Sequence, residues 1–221
     1  MVIKQPWVDV DGWVLPQLPP LITDILISLD DKYIYFSNWL RGDIVQYDIS
    51  DPENPKLAGR VWVGGVIKKV PGDRKWISTG FQLPPQGSSV KPTGNLPDGL
   101  TEAPSVPTVK GHTLEGGPQM LQLRYVGLLF THVSLNLTLL LSLDGKRLYV
   151  TNSLFSPWDK QFYPDLAKKG SYLLQIDVDN VNGGLKINPE FFIDFGAEPY
   201  GPVLAHEVRY PGGDCSSDIW L

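Results

Sequence analysis

The residues best suited to chemistry lie late in the sequence, in the stretch VLAHEVRYPGGDCSSDIW. His206, with Glu207 beside it, is the best candidate metal ligand, because a neutral imidazole nitrogen binds copper well. No second histidine lies at ligand spacing, so a hydrogen-bonded structural histidine remains the alternative. Cys215, the single cysteine, is the candidate catalytic thiol. Asp214 beside it disfavours a thiolate, so a small packing residue is the alternative.

The other candidates are weaker. His112 lies beside turn glycines in VKGHTLEGG, which predicts a solvated loop residue, and His132 lies in a long uncharged tract. Trp158, Phe162 and Tyr163 form an aromatic cluster. Such a cluster can line the mouth of a channel, but large aromatic side chains pack more often against a neighbouring element.

The composition of the chain limits which kinds of protein can position these residues. A chain of 221 residues, of which 42% are hydrophobic, can form one domain with a sizeable core. Its 22 glycines and 20 prolines favour many turns over long helices. A net charge of -5 without a basic cluster argues against nucleic acid as a partner. The single cysteine and the lack of a signal-peptide pattern predict a cytoplasmic location.

A repeat organises the chain. ILISLDDKYIYFSNWL begins at Ile25, and LLLSLDGKRLYVTNSL begins at Leu139. Each predicts a β-hairpin, in which the Asp-Asp or Asp-Gly turn tolerates a positive φ. The similarity continues from Gly42 to Gly65 and from Gly170 to Gly196. Each unit is therefore predicted to contain about four short antiparallel strands.

Recurrence of whole four-strand units predicts an all-β fold and favours a β-propeller over the alternative, a β-sandwich with two similar hairpins. Strand-like sequence in Val2–Trp13 extends the expectation to a partial propeller of about three to four blades. We expect residues 1–221 to form this single domain, with Val66–Lys110, rich in Pro, Gly, Ser and Thr, as a long surface loop. The sheet edges of an open arc tend to pair with other chains.

The tract from Tyr125 to Leu143 contains no charged residue. Its length approaches the roughly 20 residues of a membrane-spanning helix. Polar side chains such as His132 and Asn136 interrupt it, and residues 134–139 alternate with the period of a strand. We therefore expect no membrane span.

Several blocks of the sequence resemble the C-terminal half of the selenium-binding protein family, which includes methanethiol oxidases. They are LITDILISLDDKYIYFSNWL, GDIVQYDISDP, GGPQMLQL, SLDGKRLYVTNSLFSPWDKQFYPDL, GGLKINPEFFIDFG and LAHEVRYPGGDCSSDIWL. The resemblance implies a seven-bladed β-propeller. It also implies oxidation of methanethiol, a small thiol, by oxygen and water to hydrogen sulfide, formaldehyde and hydrogen peroxide.

The resemblance implies copper and selenium as cofactors, with His206 near the metal and Cys215 near the propeller channel. Selenium attachment is usually placed in the family's N-terminal half, which this sequence lacks. The chain is therefore expected to be a fragment with impaired activity. The alternative is a non-enzymatic selenium- or metal-binding scaffold that meets protein partners.

An insertion interrupts the second repeat. In the family that the chain resembles, GGPQMLQL runs straight into SLDGKRLY, whereas Arg124–Leu141 lies between them here. Removing this segment leaves MLQLSLDGKRLYV, which matches ILISLDDKYIYF. We interpret residues 124–141 as an in-frame insertion, with translated intron sequence as the hypothesis for its origin. It could supply a substitute strand through Leu137, Leu139 and Leu141.

Overall fold

The structure, a computed structural model, describes most of the chain outside the uncharged tract and the last fifteen residues. The described residues are 3–13, 15–67, 90–100, 104–105, 107–119, 121–124 and 145–206. In this part antiparallel sheets predominate, with two short α-helices and two 3-10 turns. The all-β expectation is confirmed at this level.

The described elements follow one another as short strands with one helical excursion. The strands are β1 (Val8–Asp11), β2 (Gln17–Leu18), β3 (Ile22–Ile27), β4 (Tyr33–Asn38), β5 (Asp43–Asp48), β6 (Lys56–Trp62), β7 (Lys91–Pro92), β8 (Thr108–Val109), β9 (His112–Thr113), β10 (Leu121–Arg124), β11 (Arg147–Thr151), β12 (Tyr172–Val178) and β13 (Leu185–Asp194). The α-helices are α1 (Ser156–Phe162) and α2 (Pro164–Lys169), and the 3-10 turns are Pro97–Gly99 and Phe195–Ala197.

The two repeats form two four-stranded antiparallel sheets. The first sheet has the order β3-β4-β5-β6 and the second has the order β10-β11-β12-β13. In each sheet, consecutive strands are neighbours, as in a meander. The predicted four-strand units are therefore confirmed.

The two sheets begin with hairpins of the same register. Ile27 lies opposite Ile34 in the first sheet, and Leu123 lies opposite Leu148 in the second. These two pairings become equivalent in sequence only when residues 124–141 are left out of the second repeat. The strand β10 thus already occupies the place where we expected a substitute strand from Leu137, Leu139 and Leu141. Those three residues, like the rest of the tract at 125–144, lie outside the described residues.

The turn chemistry of the two hairpins is also shared. Asp31 has φ 55° and Gly145, its equivalent in the second repeat, has φ 59°. Both values lie in the left-handed region, which Gly adopts without strain and Asp tolerates better than most residues. This agrees with the turns predicted from the sequence.

The main core lies between the two sheets. Tyr35 and Ile44 from the first sheet share a buried cluster with Leu148, Leu174 and Ile176 from the second. These side chains alternate along their strands with residues on the opposite face, as the period of two requires. Burial of such large apolar side chains contributes about 1.5–3 kcal/mol each.

A second cluster surrounds Trp39 at one end of the sheets and includes Val8, Val10 and Leu18. The strand β1, part of the predicted strand material in Val2–Trp13, pairs with β2 and β7. The segment predicted as a surface loop, Val66–Lys110, contributes to both clusters. Its buried members are Val66, Ile67, Val90, Leu96 and Val109.

The helices α1 and α2 follow the second hairpin and were not foreseen in the sequence. Pro157 and Pro164 lie in their first turns, where the fixed φ of proline suits a helix and its missing N–H is not needed. Within the described residues no helix has the length and apolar character required to cross a membrane.

Candidate functional site

His206 is held at the end of the second sheet by two contacts. Its ring nitrogen Nδ1 lies 3.0 Å from the carbonyl oxygen of Ser153, and the hydroxyl of Thr151 donates to the carbonyl oxygen of His206 at 2.6 Å. Because a carbonyl oxygen can only accept, Nδ1 carries the proton. In the neutral ring the lone pair of Nε2 is then available, which is the arrangement that metal-binding histidines use.

Asp159 on α1 fixes the loop that positions this histidine. Its carboxylate accepts hydrogen bonds from the hydroxyl of Ser153 at 2.7 Å and from the backbone N–H of Leu154 at 3.1 Å. The side chain is fully buried. Burial raises the pKa of Asp159, while these hydrogen bonds and the nearby His206 oppose the shift. The Ser153 carbonyl that orients the imidazole is therefore set by Asp159.

The chain segment before His206 is fixed as well. The hydroxyl oxygen of Ser171 accepts from the N–H of Ala205 at 2.5 Å, and the N–H of Ser171 donates to the carbonyl of Val203 at 2.9 Å. Ser171 directly precedes β12. His206 is thus held from the ends of two neighbouring strands of one sheet, β11 and β12.

The other predicted site residue, Cys215, lies outside the described residues, as do Glu207 and His132. The structure therefore brings His206 together with Ser153 and Asp159 and assigns no position to the thiol. Ser153 and Asp159 were not singled out in the sequence. A serine and an aspartate six positions apart carry no metal or catalytic pattern, and only the fold brings them to His206 from a separation of about fifty residues.

His112 is exposed, as predicted, but it lies in the strand β9 and not in a loop, and its ring stacks on Phe192 with centroids 4.4 Å apart. Both residues line a cavity of about 250 Å³ together with Glu115, Lys169 and Tyr172. The Lys169 ammonium lies 3.0 Å from the Glu115 carboxylate, and the Tyr172 hydroxyl donates to the Glu115 carbonyl. Burial raises the pKa of Tyr172 far above its usual range. These contacts join Lys169 at the end of α2 and Tyr172 at the start of β12 to Glu115.

The aromatic cluster packs against the first sheet. The rings of Phe162 and Tyr163 meet Trp39 edge to face, at centroid distances of 5.6 and 4.9 Å. The Tyr163 hydroxyl donates to the carbonyl of Trp39 at 2.8 Å. Phe162 and Tyr163 therefore pack against a neighbouring element, as interpreted, whereas Trp158 is 43% exposed.

The described residues supply one imidazole for a metal but not a complete metal site. Among them, no group of three or more His, Cys, Asp or Glu side chains is arranged to hold an ion. Copper in proteins requires several nitrogen or sulfur ligands. The fit to copper is therefore limited to a single oriented donor, Nε2 of His206.

Fold and site together define an all-β protein of repeated four-stranded sheets, with an oriented histidine at the end of one sheet. Residues 1–221 match the family of the 56kDa selenium binding protein (SBP56). The chain belongs to this family.

Individual relatives agree with this assignment. The chain is 55% identical to a methanethiol oxidase of Xenopus tropicalis and 53% identical to selenium-binding protein 1 of Arabidopsis thaliana, in each case over its whole length. It spans only 39% and 38% of those two relatives. The X-ray structure of a hypothetical selenium-binding protein from Sulfolobus tokodaii has a TM-score of 0.55 and 36% identity to the chain. That likeness covers 92% of this chain and 31% of the other.

Proposed function

We propose that this chain is part of a methanethiol oxidase, which converts methanethiol, oxygen and water into formaldehyde, hydrogen sulfide and hydrogen peroxide. Its identity of 54–55% to relatives named methanethiol oxidase supports this. The observation that carries it is the orientation of His206, whose Nδ1–H is committed to Ser153 and whose Nε2 is left to bind.

The proposed scaffold is a partial β-propeller in which the two sheets are neighbouring blades. Two observations support this. The sheets share one strand order, and the first strands of the two sheets contact each other, as do their last strands. Blades arranged around an axis have this relation, because inner strands meet inner strands and outer strands meet outer strands.

In this proposal His206 supplies one ligand of a copper ion, and other parts of the protein complete the site. Bound copper would supply one-electron chemistry with oxygen. The chain's own residues contribute orientation: Asp159 holds Ser153, and the Ser153 carbonyl holds the Nδ1 proton of His206. Cys215 is proposed as the catalytic thiol that acts on methanethiol, the small thiol substrate. We place the protein in the cytoplasm and the fragment's activity below that of a full-length relative.

Copper-dependent release of hydrogen sulfide from methanethiol tests this proposal. The assay compares the wild-type chain, His206→Ala and the matched control His112→Ala, whose ring is exposed and stacks on Phe192. We expect both copper binding and sulfide release to fall in His206→Ala and to persist in His112→Ala. Removing residues 124–141 should raise the activity. Equal behaviour of the two histidine variants would contradict the assignment of His206.

The second candidate is a selenium- or metal-binding scaffold without turnover. The relatives of Arabidopsis thaliana named selenium-binding protein 1 and 2, at 53% and 52% identity, favour it. Equilibrium dialysis with selenite and with copper, followed by elemental analysis, separates the two functions. Retention of either element by a chain that releases no sulfide would favour the scaffold.

A further inference from the structure

A cavity of about 250 Å³ lies beside the core between the two sheets. Tyr172 in its wall belongs to the buried cluster that the two sheets share, and Phe192 packs against that cluster. The strand β9 and the end of α2 supply the other walls. The cavity is therefore built from parts of this chain, on the side of the second sheet that faces the first sheet.

The walls of this cavity are held in place by contacts within the chain. The carbonyl oxygen of Glu115 accepts hydrogen bonds from the Tyr172 hydroxyl and, at 2.9 Å, from the side-chain amide of Asn152. Gly170 ends α2 with φ 89°, and a Cβ atom at this position would lie 2.5 Å from the Cα atom of Gly196. The positive φ and this close approach both require glycine. A cavity that is already formed spends little free energy on ordering when a ligand binds.

One part of the cavity wall is aromatic and apolar. The His112 ring stacks on Phe192 with an angle of 17° between the ring planes, and the centroid of Tyr172 lies 5.2 Å from that of Phe192. Leu166 on α2 also lines the cavity. An apolar cavity of about 150 Å³ is large enough to bind benzene. The larger cavity here therefore has room for a small molecule that packs an apolar group against Phe192 and Leu166.

Another part of the wall carries charges of both signs. The Lys169 ammonium lies 3.0 Å from the carboxylate of Glu115, whose side chain is 11% exposed. This contact uses one of the three N–H donors of the ammonium. Asp194 accepts a hydrogen bond from the N–H of Gly196 at 2.8 Å through one oxygen of its carboxylate. Lys169 therefore keeps donor capacity, and Asp194 keeps acceptor capacity, for a ligand in the cavity.

We propose that this cavity binds a small zwitterion of the α-amino acid class with an apolar side chain. The ammonium of the ligand contacts Asp194, its carboxylate contacts Lys169, and its side chain packs on Phe192 and Leu166. A ligand with a single charge would leave the opposite group of the cavity without a partner, which lowers affinity. Among the described residues, those that hold His206 do not line this cavity. The proposal therefore does not depend on the proposed oxidase activity.

Ligand-observed NMR titration of the whole chain with three probes of similar shape tests the requirement for both charges. L-Leucine carries both charges, L-leucinamide lacks the carboxylate, and 4-methylpentanoate lacks the ammonium. We expect leucine to bind and each analogue to bind roughly tenfold more weakly, the loss expected for one charge-assisted contact. If none of the probes binds, or if either analogue binds as tightly as leucine, the proposal is wrong.

Two variants test which group of the cavity binds which charge of the ligand. Lys169→Met removes the ammonium and should weaken binding of leucine roughly tenfold without weakening that of leucinamide. Asp194→Asn keeps an acceptor for Gly196 and should weaken binding of leucine and leucinamide but not that of 4-methylpentanoate. The control Lys168→Met changes the neighbouring lysine, whose side chain is 67% exposed and contacts Asp165, and should bind leucine like the wild type. Circular dichroism establishes that each variant is folded, and a folded Lys169→Met or Asp194→Asn chain with wild-type affinity for leucine would contradict the proposal.

The imidazole of His112 reports where the probe binds. The chain has three histidines, and comparison with His112→Ala assigns the ring-proton resonances of His112. Addition of leucine should shift these resonances, because the His112 ring lines the cavity, and should leave those of His206 in place. A shift of the His206 resonances without a shift of the His112 resonances would place the ligand elsewhere and overturn the proposal.

Discussion

The two sheets have the same strand order but differ in the connection between their second and third strands. In the first sheet, residues 39–42 cross directly from β4 to β5, whereas residues 152–171 of the second sheet form α1 and α2 before β12 begins. The short link is held by a buried ion network and the long link by the buried carboxylate of Asp159. The long link also carries the groups that orient His206. The proposed metal ligand is thus positioned by a connection, while the repeated sheets serve as scaffold.

The largest expected effect lies in the short link. The Arg41 guanidinium donates to both oxygens of Asp43 at 2.7 and 2.9 Å, Arg60 also contacts this carboxylate, and Arg41 and Asp43 are fully buried. Asp43→Ala leaves a buried guanidinium without its counter-charge, so the free energy of unfolding should fall by about 3–5 kcal/mol. Urea denaturation measures this. Lys168→Ala, which breaks an exposed pair with Asp165, is the control and should change stability by less than about 0.5 kcal/mol.

The next effect concerns the long link. Asp159→Ala leaves the hydroxyl of Ser153 and the N–H of Leu154 without their acceptor, which should cost about 1–3 kcal/mol. It should also release the ring of His206, so the nitrogen-15 shifts of that imidazole should move toward an average of both tautomers. An unchanged Nδ1–H tautomer in Asp159→Ala would contradict the positioning role.

The pH dependence of Asp159 has a definite sign. Burial raises its pKa in the folded chain above the ordinary value of 3.8. The folded state then binds the proton more tightly than the unfolded state, so stability falls as pH rises from about 3.8 through the folded pKa. Asp159→Asn keeps the shape without ionising. The stability of the wild type relative to Asp159→Asn should therefore decline with rising pH in that window. If this relative stability rises instead, burial does not dominate the pKa of Asp159.

A smaller difference separates two equivalent asparagines. Asn152 donates to the carbonyl of Glu115 at 2.9 Å and accepts from the N–H of Tyr172 at 2.9 Å. Asn38, its counterpart in the first repeat, is buried with no hydrogen-bond partner for either side-chain atom among the described residues. Replacement by Leu should cost about 1–3 kcal/mol at Asn152, where two backbone groups lose their partner, and less than about 1 kcal/mol at Asn38. Thermal unfolding compares the two variants. Equal losses of stability would contradict the expected difference between Asn152 and Asn38.

The sequence allowed the sheets to be predicted and left the site largely hidden, for physical reasons. The hairpins follow from alternation and from Asp31 and Gly145, which are local signals. The helices were missed because the high Pro and Gly content was taken to favour turns, although a proline in the first turn of a helix is favourable. The environment of His206 depends on contacts with Ser153, distant in sequence, and only the completed sheet brings these groups together.

The smallest expected effect concerns the interrupted turn of the second sheet. The intact first hairpin joins Ile27 to Tyr33 directly, whereas the link from Arg124 to Arg147 is roughly four times as long. Closing a loop of that length costs about 1 kcal/mol more in chain entropy. Deletion of residues 124–141 places Ser142 directly after Leu123, as Ser28 follows Ile27, and preserves the register of β10 with β11. We therefore expect the shortened chain to be about 1 kcal/mol more stable by urea denaturation. Hydrogen exchange at Leu121 and Leu148 should be equally protected or more so, because both remain paired in the same register. Lower protection would mean that the deleted residues beyond Arg124, which already pairs with Arg147, also contribute to the second sheet.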